Sequence, residues 1–401
     1  MVRGRPSSWS GHQSHRVASP KERLVSLDVF RGITVAGMLL VNDPGSWGHI
    51  YPPLEHAAWN GWTPTDLVFP FFLFIVGITT HLSATARRAR GATDTELTRQ
   101  ILRRGALIFL FGLLVNWLPF YTWSGDFPSF GARIVDRLYH VRIMGVLQRI
   151  GLAYIAGALI ALRANTRTMI IVIAVILFGY WGVMATGPLE PAPATVAASV
   201  DRAWLDWGAL GNHIWAQSET WDPEGPLSTI PAIATVLVGV LAGRWIGGGR
   251  PLPDRLNGLF AAGAMGMCAG LVWNWVFPIN KNLWTSSYVV FTAGMAAVTL
   301  AVCIWLIESE NVRWWTPPFL AFGMNPIVAF VGSAVMERLI YSVITLNVGG
   351  KTVSLETALY NATLGAWLPP QLASLTFAVC FVLLWLGVLT VLYRRQIFLK
   401  I

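Results

Sequence analysis

The stretch at residues 41–77 reads VNDPGSWGHIYPPLEHAAWNGWTPTDLVFPFFLFIVG. It leaves one long apolar run, crosses a short loop without Lys or Arg and enters a second apolar run. The loop carries two histidines, His49 and His56, and a titratable imidazole between two membrane spans is a candidate proton-transfer group near neutral pH. His56 lies closer to the second span and is therefore the better candidate for a fixed position. The alternative is a belt of interfacial aromatic residues that includes histidines incidentally.

Apolar runs of this kind recur along the whole chain. Hydrophobic residues make up 54% of the 401 residues and charged residues only 12%, about half the charged fraction of a soluble protein. Runs of this length cross a bilayer as helices, whereas a β-barrel shows short alternating segments. We therefore predict an all-α polytopic membrane protein, with one transmembrane domain at residues 23–401 after a disordered cytoplasmic tail at residues 1–22. The ten predicted spans lie near residues 24–42, 64–84, 102–121, 143–162, 168–186, 227–247, 256–277, 285–307, 317–337 and 370–393.

The distribution of positive charge predicts the orientation of these spans. Most of the 29 Lys and Arg lie in the tail or in loops on one side of the predicted membrane. By the positive-inside rule both termini are then cytoplasmic and the His56 loop faces outward. The net charge of +9 is thus a topogenic pattern, and no nucleic-acid partner is expected. The three cysteines lie inside apolar runs and the sequence shows no metal-ligand constellation, so neither a disulfide nor a metal is expected.

Several polar residues lie within predicted spans, where polar groups are costly in lipid. Asp28 and Arg31 share one face of the first helix, which predicts either a structural ion pair or a cytoplasmic entrance for an anion. Asn42 ends the first span beside the His56 loop, where its amide either binds a substrate or oxyanion or caps the helix. Asn325 and Pro326 interrupt the ninth span, and the backbone groups freed by the proline need a cavity or an internal partner.

Polar residues also mark the outer ends of the second and fourth spans. Asp66 follows Thr63 and Pro64 in the pattern of a helix N-cap, which favours a structural role for its carboxylate. Arg149, beside Gln148, lies about two turns inside the fourth span, where an unpaired cation is strongly unfavourable. The acids available as partners are Asp136, Glu224 and Asp66.

A third polar group leads into the eighth span from the outer side. Lys281, Asn282 and Ser286 either contribute to a site or form an interfacial anchor with neighbouring Trp and Tyr residues. Two outer segments, residues 187–226 and 338–369, are long for membrane connections, and long structured loops are more often functional than idle.

Several motifs resemble those of one family, the heparan-α-glucosaminide N-acetyltransferases, in particular bacterial members of ten spans. The resemblance runs from residue 23 to the C-terminus, and its motifs occur in the order of the family. They are SLDVFRGI at residues 26–33, HAAWNG at 56–61, DLVFP at 66–70, GVLQRI at 145–150, NLWTSSY at 282–288 and GMNP at 323–326.

The resemblance implies an acyltransferase of the bacterial inner membrane that moves acetyl from cytoplasmic acetyl-CoA to the amine of an amino sugar on the outer face. It matches His56 to the catalytic histidine of the family and Asn42 to an active-site asparagine, and it implies a homodimer. The loop at residues 43–55 differs from the glycine-rich stretch of animal members, which leaves the acceptor open. Candidate residues that bind substrate or cofactor are Asp28, Arg31, Trp59, Asn60, Asp66, Gln148, Arg149, Glu224, Lys281, Asn282, Ser286 and Asn325.

Two mechanisms and a second function remain open from the sequence. His56 acts either as a general base on the acceptor amine or as an acyl acceptor itself, which gives ping-pong kinetics. A secondary transporter for a sugar or cell-wall fragment is the alternative function. A transporter predicts charge near the membrane midplane and a pair of repeats, whereas the richest group of polar residues here lies at the outer end of the spans.

Overall fold

The computed structural model describes residues 24–122 and 125–399. Within these residues ten helices are long and apolar enough to cross a membrane, which confirms the predicted fold class. The tail predicted at residues 1–22 lies outside the described residues. The helices are α1 Val25–Asn42, α2 Val68–Arg88, α3 Asp94–Trp117, α4 Phe130–Tyr139, α5 Val146–Arg163, α6 Thr166–Met184, α7 Val196–Leu205, α8 Pro226–Gly247, α9 Leu252–Trp273, α10 Ser286–Ile304, α11 Thr316–Met324, α12 Pro326–Arg338, α13 Leu355–Ala362, α14 Leu364–Trp367 and α15 Pro370–Arg394.

Shorter elements complete the two long segments at residues 187–226 and 338–369 and the helix ends. A two-stranded antiparallel sheet pairs β1 Thr345–Val348 with β2 Lys351–Ser354. Single 3-10 turns and π-helical turns account for the remaining regular structure of the described residues. They are the 3-10 turns Pro52–Leu54, Pro64–Leu67, Ala192–Ala194 and Gly208–Leu210 and the π turns Trp305–Ser309 and Leu339–Val343.

Successive spans run in opposite directions, so their loops gather at two ends of the helix bundle. We call the end that holds the α1–α2, α6–α8 and α9–α10 loops the His56 end. The α2–α3, α5–α6 and α8–α9 loops lie at the opposite end. There Arg88 donates to the Leu162 carbonyl (3.0 Å) and Arg244 to the Ala164 carbonyl (2.7 Å), which ties these loops together.

The centre of the bundle consists of α2, α8 and α10, with α1 and α5 beside them. In each of these helices, 50–61% of the most apolar 18-residue stretch is buried, against 22–28% in α3, α6, α9 and α15. The less buried helices present large apolar side chains outward, as expected of helices that face lipid. Examples are Leu110, Val175, Met265 and Leu383.

The α2–α8 contact is so close that only glycine fits at the crossing. A Cβ atom on Gly77 would lie 2.0 Å from the Val236 carbonyl oxygen, and one on Gly239 would lie 2.1 Å from the Phe74 carbonyl oxygen. Small residues allow the backbones of membrane helices to approach in this way. The crossing therefore sets the spacing of α2 and α8. Residues of the candidate site lie where these two helices reach the His56 end.

The ninth span was predicted near residues 317–337 with an interruption at Asn325 and Pro326, but it begins at Pro326 and runs to Val343, so the chain breaks before the span and not within it. Helix α11 ends at Met324, α12 begins at Pro326, and Asn325 lies between them with a non-helical backbone. The Asn325 side chain donates to the Ile397 carbonyl (3.0 Å) and accepts from the Leu399 amide (3.1 Å). The break is therefore tied to the C-terminal segment by an internal hydrogen-bond partner.

Substituting Gly77 by alanine is expected to destabilise the fold, because the added methyl group collides with the backbone of α8. Overpacking of this kind costs about 1–3 kcal/mol, which lowers the midpoint of thermal unfolding in detergent. Gly179→Ala in α6 is the matched control, since its added Cβ meets no atom within 4 Å and alanine favours a helix. A midpoint for Gly77→Ala as high as that of Gly179→Ala contradicts the packing described here.

Candidate functional site

The candidate site is organised by a bond between His56 and Asp66. The imidazole Nδ1 lies 2.7 Å from Asp66 Oδ1. A carboxylate only accepts hydrogen bonds, so Nδ1 carries a proton in this pair, and in the neutral ring Nε2 then keeps its lone pair. The Asp66 carboxylate is 1% exposed and the imidazole 47% exposed, so a buried anion holds a ring that substrates can reach.

The same carboxylate caps the helix that follows it. Asp66 Oδ2 accepts from the Thr63 and Ala57 amides, each at 3.0 Å, and the Thr63 side chain completes the capping box. The predicted N-cap is thus confirmed, and the carboxylate also orients His56. The start of the second span therefore positions the imidazole directly.

Lys281 joins this pair from the α9–α10 loop. Its Nζ lies 3.1 Å from both ring nitrogens of His56 and 3.9 Å from Asp66 Oδ1. Burial lowers the pKa of Lys281 and the Arg149 charge lowers it further, whereas Glu224 and Asp66 raise it. A lysine in this environment loses its proton more readily than one in water.

A second ion cluster lies beside this group. The Arg142 guanidinium donates to both carboxylate oxygens of Asp222, at 2.8 and 2.5 Å, and also to Glu224. Burial opposes ionisation of Glu224, but the positive charges of Arg142, Arg149 and Lys281 hold the pKa of its carboxyl below the usual value. Glu224 thus connects the ion cluster electrostatically to Lys281.

The buried guanidinium of Arg149 is bonded differently from the sequence-based expectation. It is 0% exposed, and its Nη2 donates to the Pro223 carbonyl (2.8 Å) and to the Ser228 hydroxyl. Its carbon lies 4.9 Å from the centre of the Trp284 ring. Among the described residues Nε and Nη1 have no hydrogen-bond partner, although both are buried.

The three acids considered as partners of Arg149 bind other groups. Asp66 binds His56, Glu224 binds Arg142, and Asp136 accepts from the Thr122 hydroxyl at 2.5 Å. The expected ion pair is therefore replaced by a carbonyl, a hydroxyl and an aromatic face. Two nitrogens of the cation, Nε and Nη1, remain available as donors within the bundle.

The HAAWNG motif fixes the His56 loop against two other loops. The Trp59 indole donates to the Leu189 carbonyl and the Asn60 amide donates to Glu190, both at 3.0 Å. The Asn60 side-chain oxygen accepts from Asn280 at 3.3 Å. These bonds place Trp59 and Asn60 in the scaffold of the site.

The other candidates at the His56 end differ in how their polar atoms are used. The buried Ser286 hydroxyl donates to the Leu177 carbonyl at 2.7 Å, and Asn282 is half-buried. Gln148 is 1% exposed, and its Nε2 has no partner among the described residues. Asn42 is the last residue of α1 and is exposed to solvent, with Asp43 as the capping position.

Three predicted site residues lie far from His56, at the opposite end. Arg31 donates to Asp28 and to the Gly323 carbonyl, both at 2.6 Å, which confirms the predicted i,i+3 ion pair. Asn325 is two residues beyond Gly323, and its side chain bonds to the C-terminal segment. The proposed role of Arg31 at an anion entrance stays a prediction.

The opposite end also contains a cationic groove that the sequence reasoning missed. It encloses about 480 Å³ between α2, α3 and α5 and includes Arg87, Arg103 and Arg104. The Arg104 guanidinium lies 5.2 Å from the centre of the Tyr154 ring, and its buried Nε has no partner among the described residues. Leu107 and Phe111 make the inner part of the groove apolar. The arginine-rich second loop was the available signal, but the pairing of α2 with α3 was needed to see a cavity.

The ten helices and the imidazole, carboxylate and amine at one end define an integral membrane protein with a candidate acid–base site. A family model described as "Heparan-alpha-glucosaminide N-acetyltransferase, catalytic" matches residues 23–256, more than half of the chain. The chain belongs to this family, which confirms the resemblance predicted from the motifs.

Two relatives were compared with the chain directly. It is 29% identical over 386 residues to the heparan-alpha-glucosaminide N-acetyltransferase of Homo sapiens and 28% identical over 443 residues to that of Mus musculus. The alignments cover 83% and 97% of the chain, but 55% and 62% of the two relatives. The chain thus spans less than two thirds of the length of these proteins.

Asp201 of α7 is expected to make stability depend on pH. Its carboxyl is 1% exposed, Oδ2 accepts from the Asp222 amide at 2.9 Å, and burial raises its pKa to about 7. The folded form holds this proton, whereas the unfolded form releases it near pH 4. The contribution of Asp201 to the free energy of unfolding therefore falls by about 1.4 kcal/mol per pH unit between pH 4 and 7. In Asp201→Asn this contribution disappears, so the variant gains stability over wild type as pH rises from 4.5 to 7.5.

Unfolding midpoints measured across this pH range test the assignment. Asp206→Asn, an exposed residue at the end of the same helix, is the control and keeps the wild-type slope. A constant difference between Asp201→Asn and wild type at every pH contradicts a buried, protonated Asp201.

Proposed function

We propose that this chain transfers acetyl from acetyl-CoA to the amine of an amino sugar. The observation that carries the proposal is the His56–Asp66 pair, which leaves Nε2 as an exposed, oriented base in a chain of an N-acetyltransferase family. Attack of an amine on a thioester requires removal of a proton from the amine nitrogen, and an oriented imidazole performs this step near neutral pH.

The chemistry at the His56 end follows from the groups around the imidazole. The amine attacks the thioester carbon, Nε2 takes the proton, and the departing thiolate receives it from the imidazolium. Arg149 has two unpartnered donor nitrogens and Asn42 is exposed, so either side chain is suited to stabilise the oxyanion of the tetrahedral intermediate. The acyl-enzyme route, with acetyl carried on His56, is the alternative within the same site.

The donor binds, in this proposal, from the opposite end. Arg87, Arg103 and Arg104 supply guanidinium groups of the kind that bind phosphate, and the apolar inner part of the groove suits the donor's long flexible arm. By the positive-inside rule this end is cytoplasmic, which supports an acceptor on the outer face. The bacterial inner membrane is the location that the resemblance implies.

His56→Ala is expected to reduce acetyl transfer to glucosamine at least 100-fold, since positioned acid–base groups contribute about 10²–10⁴ in rate. Purified protein in detergent with labelled acetyl-CoA provides the assay. His49→Ala is the matched control, because this exposed histidine of the same loop bonds only to Ser46 within the described residues. Equal activity of the two variants rejects His56 as the base.

Initial rates with both substrates varied distinguish the two mechanisms. Parallel double-reciprocal lines reject the direct transfer in favour of an acetylated enzyme.

Arg104→Gln is expected to raise the KM for acetyl-CoA about tenfold with little change in kcat, because one charge-assisted contact to phosphate is lost. Arg99→Gln is the control, since Arg99 is exposed on the same helix and does not line the groove. An unchanged KM for Arg104→Gln shows that the donor phosphates bind elsewhere.

A further inference from the structure

Lys281 is held in place by a rigid turn. The Asn280 side chain accepts from the Leu283 amide at 2.9 Å, and the Thr285 hydroxyl accepts from the Asn280 amide at 3.0 Å. Trp284, next in the turn, adopts a positive φ of 51° and is completely buried. The turn therefore fixes the backbone from which the Lys281 side chain reaches His56.

The position of Nζ leaves the His56 lone pair free. An atom equally distant from both ring nitrogens lies over the ring, because the equivalent position in the ring plane would collide with Cε1. The amine therefore does not occupy the direction of the Nε2 lone pair. A substrate nitrogen that reaches Nε2 must come close to Lys281 Nζ as well.

Lys281 is also the cation of this group that is able to give up its proton. Arg142 and Arg149 are guanidinium groups, which stay protonated in proteins. The charged groups that act on Lys281 are Glu224, Asp66 and Arg149, with His56 in contact, and burial outweighs them in lowering its pKa. Lys281 therefore gives up its proton more readily than an exposed lysine does.

The reaction requires two proton removals from a protonated acceptor. An ammonium group must lose one proton before its nitrogen has a lone pair, and a second when the amide forms. His56 Nε2 takes only one proton at a time. We propose that Lys281 is a second catalytic base, which takes the first proton from the acceptor ammonium and leaves His56 for the second. This inference rests on the proposed acetyl transfer.

The steps balance without a further reactant. The Lys281 amine takes a proton from the acceptor ammonium and becomes an ammonium itself. The free amine attacks the thioester carbon, and His56 takes the second proton from the nitrogen. The carbon–sulfur bond then breaks, and the sulfur receives the proton from His56. Lys281, with 19% of its side chain exposed, returns its proton to water.

The test compares Lys281→Arg and Lys281→Met with wild type over a range of pH. Arginine keeps the positive charge but cannot release a proton, so both variants are expected to lose about 100-fold in kcat/KM at neutral pH. The loss shrinks as pH rises towards the pKa of the acceptor, because free amine no longer needs deprotonation. The loss in kcat/KM is also larger for an amino sugar whose amine is on a primary carbon, because that amine is more basic than the amine of glucosamine and is more fully protonated at the same pH.

The outcomes separate this inference from the function on which it rests. Wild-type activity in Lys281→Arg shows that only the charge matters and overturns the inference. A loss that is equal at every pH and for both acceptors shows a positioning role and also overturns it. His56→Ala serves as the reference, with a loss independent of acceptor basicity, and unfolding midpoints verify that each variant is folded. If wild type acetylates neither sugar, the proposed function itself fails.

Discussion

The bond between Asp66 and His56 is the constraint on which the rest of the candidate site depends. One carboxylate caps the second span, fixes the preceding loop through the Thr63 and Ala57 amides and holds the imidazole at 2.7 Å. Because the anion is buried and fully bonded, it selects the tautomer that leaves Nε2 free. The start of α2 therefore determines the geometry of the site, and the close α2–α8 crossing holds this helix in place.

Buried charges of both signs surround this pair. Asp66, Asp222 and Glu224 face Lys281, Arg142 and Arg149 in a region that excludes most water. Removing one member of a buried ion pair typically costs about 3–5 kcal/mol, because the remaining charge is left uncompensated. The members of this cluster therefore hold one another in place. Two of them keep groups that are available for chemistry. Arg149 has two donor nitrogens without a partner among the described residues, and Lys281 has a proton that burial makes easier to lose.

The sequence predicted those features that depend on local patterns. Apolar runs predicted ten spans and Thr63 to Asp66 predicted the cap, but the ninth span begins at Pro326 and not near residue 317 as predicted. Features that depend on chain topology were beyond such reasoning. Arg142 and Asp222 are 80 residues apart, and Lys281 and His56 are 225 apart. The sequence left three acids open as partners of Arg149, and in the structure all three are bonded to other groups.

The two ends of the molecule thus differ in chemistry, with arginines around a groove at one end and an oriented base at the other. In the proposed function, the helix bundle connects the arginine groove with the His56 site, so that acetyl crosses the membrane. The most direct test uses purified protein in sealed vesicles, with orientation determined by protease access to the C-terminus. Labelled acetyl-CoA is supplied on the side of the Arg104 groove and glucosamine on the His56 side. The account predicts acetylated sugar on the His56 side, and no product when the two substrates exchange sides. Product formed only when both substrates share one side would contradict it, as would sugar that equilibrates across the membrane without being acetylated.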